Sequence, residues 1–179
     1  MVLLGCRPKD RLTEQHDIFF GIAPSLKSLV PQLKTFWPKG KSNLHIDAWR
    51  NVNIVDGYTI SLSNHPAKVT PHLNLYFINL GGYQKGNFDE LHYKMLIVAS
   101  NVTEAAEKAK SVDFYKTFGF TGAESHIDNK YEVDDIINIK DLLTPGEYYL
   151  NIEKLNNPDT RADEIRLGYF ELNALQDNW

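Results

Sequence analysis

Two short motifs occur twice in this chain, and in the same order. Glu14-Gln15-His16 returns as Glu90-Leu91-His92, and His45-Ile46-Asp47 returns as His126-Ile127-Asp128. Four of the six histidines fall in these two pairs. The first motif recurs after 76 residues and the second after 81, so the copies run in register with five extra residues in the second. A chain that says the same thing twice is expected to fold as two similar modules related by pseudo-symmetry, and polar residues present in both are the first candidates for a site. Identity beyond the motifs is sparse. Ungapped pairing of Gly5–Phe36 with Gly81–Val112 matches only Gly5, Lys9, Glu14, His16, Ala23 and Lys34 with their partners. The weight of the reading therefore rests on the order of scarce residues within a common arrangement of elements.

That arrangement is strand, strand, helix, strand. Val2-Leu3-Leu4 running into Gly5, and Leu75–Leu80 running into Gly81-Gly82, read as strands that end in turns. The apolar runs Asp17–Ala23 and Tyr93–Ala99 have strand length and are expected to be central and well buried. A helix follows in each copy. In the second, Asn101 can cap the helix while Glu104 reaches back, and Val102, Ala105, Ala106, Ala109 and Val112 recur at the helical period. In the first, Ser25 is the cap and Leu26, Leu29, Val30 and Leu33 form the stripe. Pro31, which costs about 3 kcal/mol in a helix interior, implies a kink or a late start there. The third strand is expected over Asn51–Leu62 in one copy and Tyr131–Ile139 in the other, parallel to the second strand across a right-handed crossover.

The expected fold class is thus α+β, with two tandem ββαβ repeats sharing a core, helices packed on mixed or antiparallel sheet, and a C-terminal β hairpin. The boundaries are 1–62 for the first repeat, 63–72 for a linker with two prolines, 73–143 for the second repeat, and 144–179 for a β extension. In that extension, Tyr148–Lys154 and Glu164–Leu172 read as strands joined through Asn156-Asn157-Pro158-Asp159. Neither repeat alone buries enough surface for comfortable stability, whereas 179 residues together do.

The motifs Gly5-Cys6-Arg7-Pro8, Glu14-Gln15-His16-Asp17, His45-Ile46-Asp47-Ala48-Trp49, Val55-Asp56-Gly57-Tyr58, Leu80-Gly81-Gly82-Tyr83, Glu90-Leu91-His92, His126-Ile127-Asp128 and Val133-Asp134-Asp135 resemble the domain-of-unknown-function family numbered 1543. That family occurs as one or two copies in small, mostly bacterial proteins. The resemblance spans about residues 1 to 140 and implies the repeat. It brings no activity, cofactor or catalytic residue.

Chemistry is expected on Glu14, His16, His45 and Asp47 and on their counterparts Glu90, His92, His126 and Asp128. Residues two apart in extended chain share a face, so Glu14 and His16 can address one ligand. If a bend brings His45 and Asp47 close, each copy offers two nitrogen and two oxygen donors, a set that suits Zn, Mn, Fe or Ni. The chief reading is a binding module for a small polar ligand, an ion or a protein partner. The first alternative is an enzyme that uses one Glu/His/Asp set for acid-base or metal-assisted hydrolysis. The second is an interaction module with purely structural histidines, pairing through a sheet edge, with a homodimer as one outcome. No nucleophile elbow, phosphate-cradling loop or dinucleotide fingerprint is present.

Composition narrows the partners. A net charge of −4 without a basic stripe argues against nucleic acid, and the apolar runs are too short to span a membrane. Cys6 is the only cysteine, which excludes an internal disulfide and fits the cytoplasm.

Overall fold

The computed structural model describes residues 1–40, 43–65, 72–127, 136–143, 147–156 and 162–176, with residues 39, 126 and 127 described by backbone alone. The fold class is α+β, and the chain divides into two compact units. Unit 1 comprises Met1–Val52 and Asp163–Trp179, and unit 2 comprises Asn53–Ala162. Residues 53–62, assigned in sequence to the first repeat, lie in unit 2.

Unit 1 is built on β1 (Val2–Cys6), β2 (Gln15–Phe19), β3 (His45–Trp49) and β11 (Arg166–Glu171), ordered β11-β3-β1-β2 with every neighbour antiparallel. Val2, Leu4 and Cys6 of β1 face a core that includes Phe19, Ile46, Trp49, Leu172 and Leu175. The helix side of that core is supplied by Leu29 and by Leu33 of α1 (Val30–Phe36). Pro31 sits in the first turn of α1, where amides have no partner within the helix, and a 3-10 turn at Lys27–Leu29 takes up the preceding residues. The helix starts late, as the proline requires.

Two expectations for this region are corrected. His45-Ile46-Asp47 is the core of strand β3, so the third strand precedes Asn51. Asn51–Leu62 instead contains the hairpin of β4 (Ile54–Val55) and β5 (Tyr58–Ser63), joined by the two-residue turn Asp56-Gly57. Nor is the second strand central. β2 lies at the sheet edge with only Phe19 buried, because β1 pairs on both sides and leaves β2 and β3 running in the same direction on either flank.

In unit 2, β6 (Asn74–Tyr83) pairs with β7 (Glu90–Ala99) along ten residues. On its other edge it pairs with β8 (His126–Ile127) and β9 (Ile136–Asn138). The glycines Gly81 and Gly82 do not turn the chain. The strand continues to Tyr83, and the turn comes at Gln84–Asn87, closed by the Asn87 amide on the Gln84 carbonyl (3.0 Å). Tyr76, Ile78, Leu80, Ile97 and Ala99 pack against Ala105 and Ala109 of α2 (Val102–Lys110). Asn101 caps α2 by accepting the Glu104 amide (2.9 Å), while the Glu104 carboxylate accepts the Ser100 amide (2.8 Å). Lys108, followed by the Ser100 hydroxyl and amide, holds the Glu104 carboxyl at about 2. A second short helix, α3 (Asp113–Thr117), follows where one continuous stripe to Val112 was expected. The expected strand at Tyr131–Ile139 appears as β9, with 131–135 outside the described residues.

The C-terminal strands form at the expected places but not as a hairpin. β10 (Tyr149–Lys154) pairs with β5 in a separate sheet of unit 2, ordered β10-β5-β4, and β11 pairs with β3 in unit 1. The eleven residues between them are too many for a tight turn, and each strand adds to an available edge instead. No helix among the described residues is long and apolar enough to cross a membrane.

Candidate functional site

The site begins with a residue that has no side chain. Gly5 lies in the middle strand of unit 1, paired with His16 on β2 and with His45 on β3. Neighbouring strands run about 4.8 Å apart, so the two histidines start on either side of Gly5 and lean inward over it. A Cβ added to Gly5 would overlap His45 Nε2 and Asp47 Oδ2. Its flanking residues Leu4 and Cys6 point to the helix side. The histidines therefore occupy the face opposite the helix.

A bulge at Asp47 sets the rest of the geometry. Along β1 the register skips, with Leu3 opposite Ala48 and Leu4 opposite Ile46, which leaves Asp47 without a partner. Along β11 the same skip puts Gly168 and Tyr169 together opposite Asp47. The bulge lets Ile46 and Trp49, three apart, both reach the core, and turns Asp47 toward the histidines. Gly168 takes φ +147°, which side chains rarely adopt. The adjacent Tyr169 ring lies 4.2 Å from the His45 ring at 31° between planes.

Four polar side chains meet over Gly5. His45 Nε2 is 3.1 Å from Glu14 Oε1 and 3.3 Å from Asp47 Oδ1, and His16 Nε2 is 3.2 Å from Asp47 Oδ2 and 3.7 Å from Glu14 Oε2. Each carboxylate thus offers one oxygen to each imidazole, in a ring of alternating acid and base. Glu14 and His16 are half-exposed, whereas His45 is only 3% exposed. His45 Nδ1 lies 3.0 Å from the Asn43 carbonyl oxygen. A carbonyl can only accept, so Nδ1 donates to it and Nε2 is the ring nitrogen turned toward the two carboxylates. Neither His45 Nε2 nor Asp47 Oδ2 makes a hydrogen bond, although both are shielded from solvent. Asn43 is held in turn, donating to the Arg7 carbonyl (2.6 Å) and accepting from the Cys6 thiol (3.2 Å). Burial, with the Glu14 charge, pushes the Cys6 thiol up, which leaves it protonated and inert.

His16 also lines an open depression of about 270 Å³, together with Pro8, Asp10, Arg11, Gln15, Asp17 and Trp37. Trp37 follows α1 and forms one wall of this depression. Trp49 is buried in the core with the Arg166 guanidinium 4.9 Å from its ring centre. Phe88 is fully exposed on the hairpin loop of unit 2.

All four candidates of the first copy are thus brought together. As they stand, the donors contact one another. Among the described residues no set of three or more His, Cys, Asp and Glu is arranged to hold a metal ion. In the second copy, Gly81 pairs with His92 on β7 and with His126 on β8, and Glu90 lies two residues before His92 on β7. Asp128 lies outside the described residues. Sequence reasoning missed Tyr169, whose signal was faint: a glycine inside an otherwise strand-like run, which marks a bulge.

Residues 11–62 match the model of a domain of unknown function, DUF1543. The resemblance to that family holds over this stretch, which contains Glu14, His16, His45 and Asp47 and ends before Tyr169. The crystal structure of a protein Il1583 from Idiomarina loihiensis superposes with a TM-score of 0.57 at 20% identity, over 96% of this chain and 94% of that one. At that identity the likeness is one of fold. No curated protein matches the chain.

Proposed function

We propose that unit 1 is a binding module for a small cation, taken up by Glu14, His16, His45 and Asp47. One observation carries the reading. Nε2 of the buried His45 lies 3.1 and 3.3 Å from Glu14 Oε1 and Asp47 Oδ1, so two carboxylates and an imidazole nitrogen converge on one shielded spot. Carboxylates crowded together repel, and a positive charge placed among them is attracted to both. Two unit charges 4 Å apart near a protein surface interact by about 4 kcal/mol. The shared chemistry is a cation with several acceptors around it, whether a divalent metal ion that parts the His and carboxylate pairs or a protonated amine entering by way of His16 and the depression. An imidazole held by a backbone carbonyl at one nitrogen is oriented to ligate a metal through the other. The acidic residues Asp10 and Asp17 beside His16 suit either source. We further propose a cytoplasmic location, supported by the single, buried, unpaired thiol of Cys6.

The test is thermal unfolding of chelator-treated protein with Zn(II), Mn(II), Fe(II) or Ni(II), and separately with methylammonium, each against KCl of equal ionic strength. A cation bound only by the folded state at 100 times its Kd stabilises it by about 2.7 kcal/mol. Saturable stabilisation that disappears in His16→Ala, an exposed position, is the expected result. The metal and amine arms distinguish the two sources. No saturable shift with any of them overturns the reading.

A second reading draws on one contact. His16 Nε2 sits 3.2 Å from Asp47 Oδ2 while the imidazole opens on the depression, the disposition of a general base oriented by a carboxylate.

A further inference from the structure

We infer that unit 2 carries a second cation site of the same class, weaker than the first, on the row His92, Gly81 and His126 with Glu90. The inference rests on the reading of unit 1 and extends it to the matching row of unit 2.

The support lies in the register of two sheets. In unit 1, Gly5 of the middle strand is paired with His16 on one side and His45 on the other. In unit 2, Gly81 of the middle strand is paired with His92 on one side and His126 on the other. Pairing fixes the face as well as the row, because a slip of one residue reverses every side chain. Leu4, one residue before Gly5, belongs to the helix-side core of unit 1, and Leu80, one residue before Gly81, belongs to the helix-side core of unit 2. Gly82, one residue after, also looks toward the helices, since a Cβ there would meet Phe118 Cβ at 3.0 Å and Phe114 Cε1 at 3.2 Å. Gly81 therefore opens onto the opposite face, as Gly5 does. The backbone register thus places a glycine between two cross-strand histidine positions in both units.

The acid is also in place. Glu90 precedes His92 by two residues and shares its face by strand alternation, as Glu14 does with His16. His92 is exposed, and Glu90 is half-buried with its Oε1 shielded from solvent. These are a solvent-facing imidazole and a partly desolvated carboxylate on one patch of sheet.

Two differences make this site the weaker. Lys94 follows His92 on the same face, where unit 1 has Ile18 after His16, so a positive charge stands near the row. β8 is two residues long and forms the edge of the described order β7-β6-β8, whereas β3 is flanked by β11 with Tyr169 against the imidazole.

Isothermal titration of the chelator-treated full chain with Zn(II), with Mn(II) and with methylammonium counts the sites. Two unequal equivalents of one of these cations are expected, with the tighter lost in His16→Ala and the weaker lost in His92→Ala and in Glu90→Gln. Lys94→Ile should tighten the weaker phase alone. One equivalent that is abolished by His16→Ala and unchanged by His92→Ala, Glu90→Gln and Lys94→Ile overturns the second site and leaves the first standing. No binding of any cation overturns both. The glutamate variant guards against reading a folding defect in His92→Ala as lost binding.

Discussion

The middle strands β1 and β6 place a glycine between two histidines in the same way, but what is added beside them differs. In unit 1 the third strand runs five residues, bulges at Asp47 and is overlaid by β11. In unit 2 it runs two residues, and β9 takes over the edge of β6 further along. The row is a property of strand pairing. The closing of the cluster depends on a bulge and on a late strand, which only unit 1 describes.

The comparison is tested most severely in the cores. Leu4 and Leu80 stand one residue before the two glycines, both 0% exposed. Leu4→Ala and Leu80→Ala should each cost about 2–5 kcal/mol by denaturant unfolding, and a large inequality would argue that the two sheets are packed on different plans. Next in size is Gly5→Val, which forces carbon into His45 and Asp47. It should cost about 1–3 kcal/mol and abolish cation-dependent stabilisation, and retention of that response would sink the cluster as the site. Gly82→Ala needs its neighbours to yield only a few tenths of an ångström, so its melting point should fall less than that of Gly5→Val.

A smaller effect isolates a contact that, among the described residues, belongs to unit 1. Tyr169→Ala removes the ring against His45 and should cost about 1 kcal/mol, with the His45 ring protons displaced in the NMR spectrum. Unmoved resonances would show that the contact is incidental. The smallest effect belongs to Glu104 at the start of α2. Its carboxyl is held at about 2, well below the usual glutamate range, so its contribution is fully present above that range and is lost as pH falls toward 2. Glu104→Gln should melt slightly below wild type at pH 7 and coincide with it near pH 2.

Much of this organisation could be read from residues. Asn101 and Glu104 announce the start of α2, Pro31 announces the late start of α1, and the four polar residues of the first copy were marked as a set before any geometry was known. Other features were hidden for physical reasons. Alternation in sequence cannot reveal a bulge, because a bulge is a property of two strands, so the third strand was expected only from Asn51, after His45-Ile46-Asp47. Tyr148–Lys154 and Glu164–Leu172 were legible as strands, but each partner was chosen by an available edge far away in sequence. Gly5 read as a turn because a strand glycine and a turn glycine look the same until the neighbours' side chains are placed.

The bulge at Asp47 has a consequence for the growing chain. Glu14, His16, His45 and Asp47 are all made more than a hundred residues before β11, which at 5–20 residues per second leaves β3 as an open strand edge for about 6 to 24 s. A flat, apolar edge would invite pairing with a neighbouring nascent chain. A kink carrying a carboxylate at its centre is a poor template for that, so the feature that aims Asp47 at the histidines also guards the unfinished sheet against aggregation.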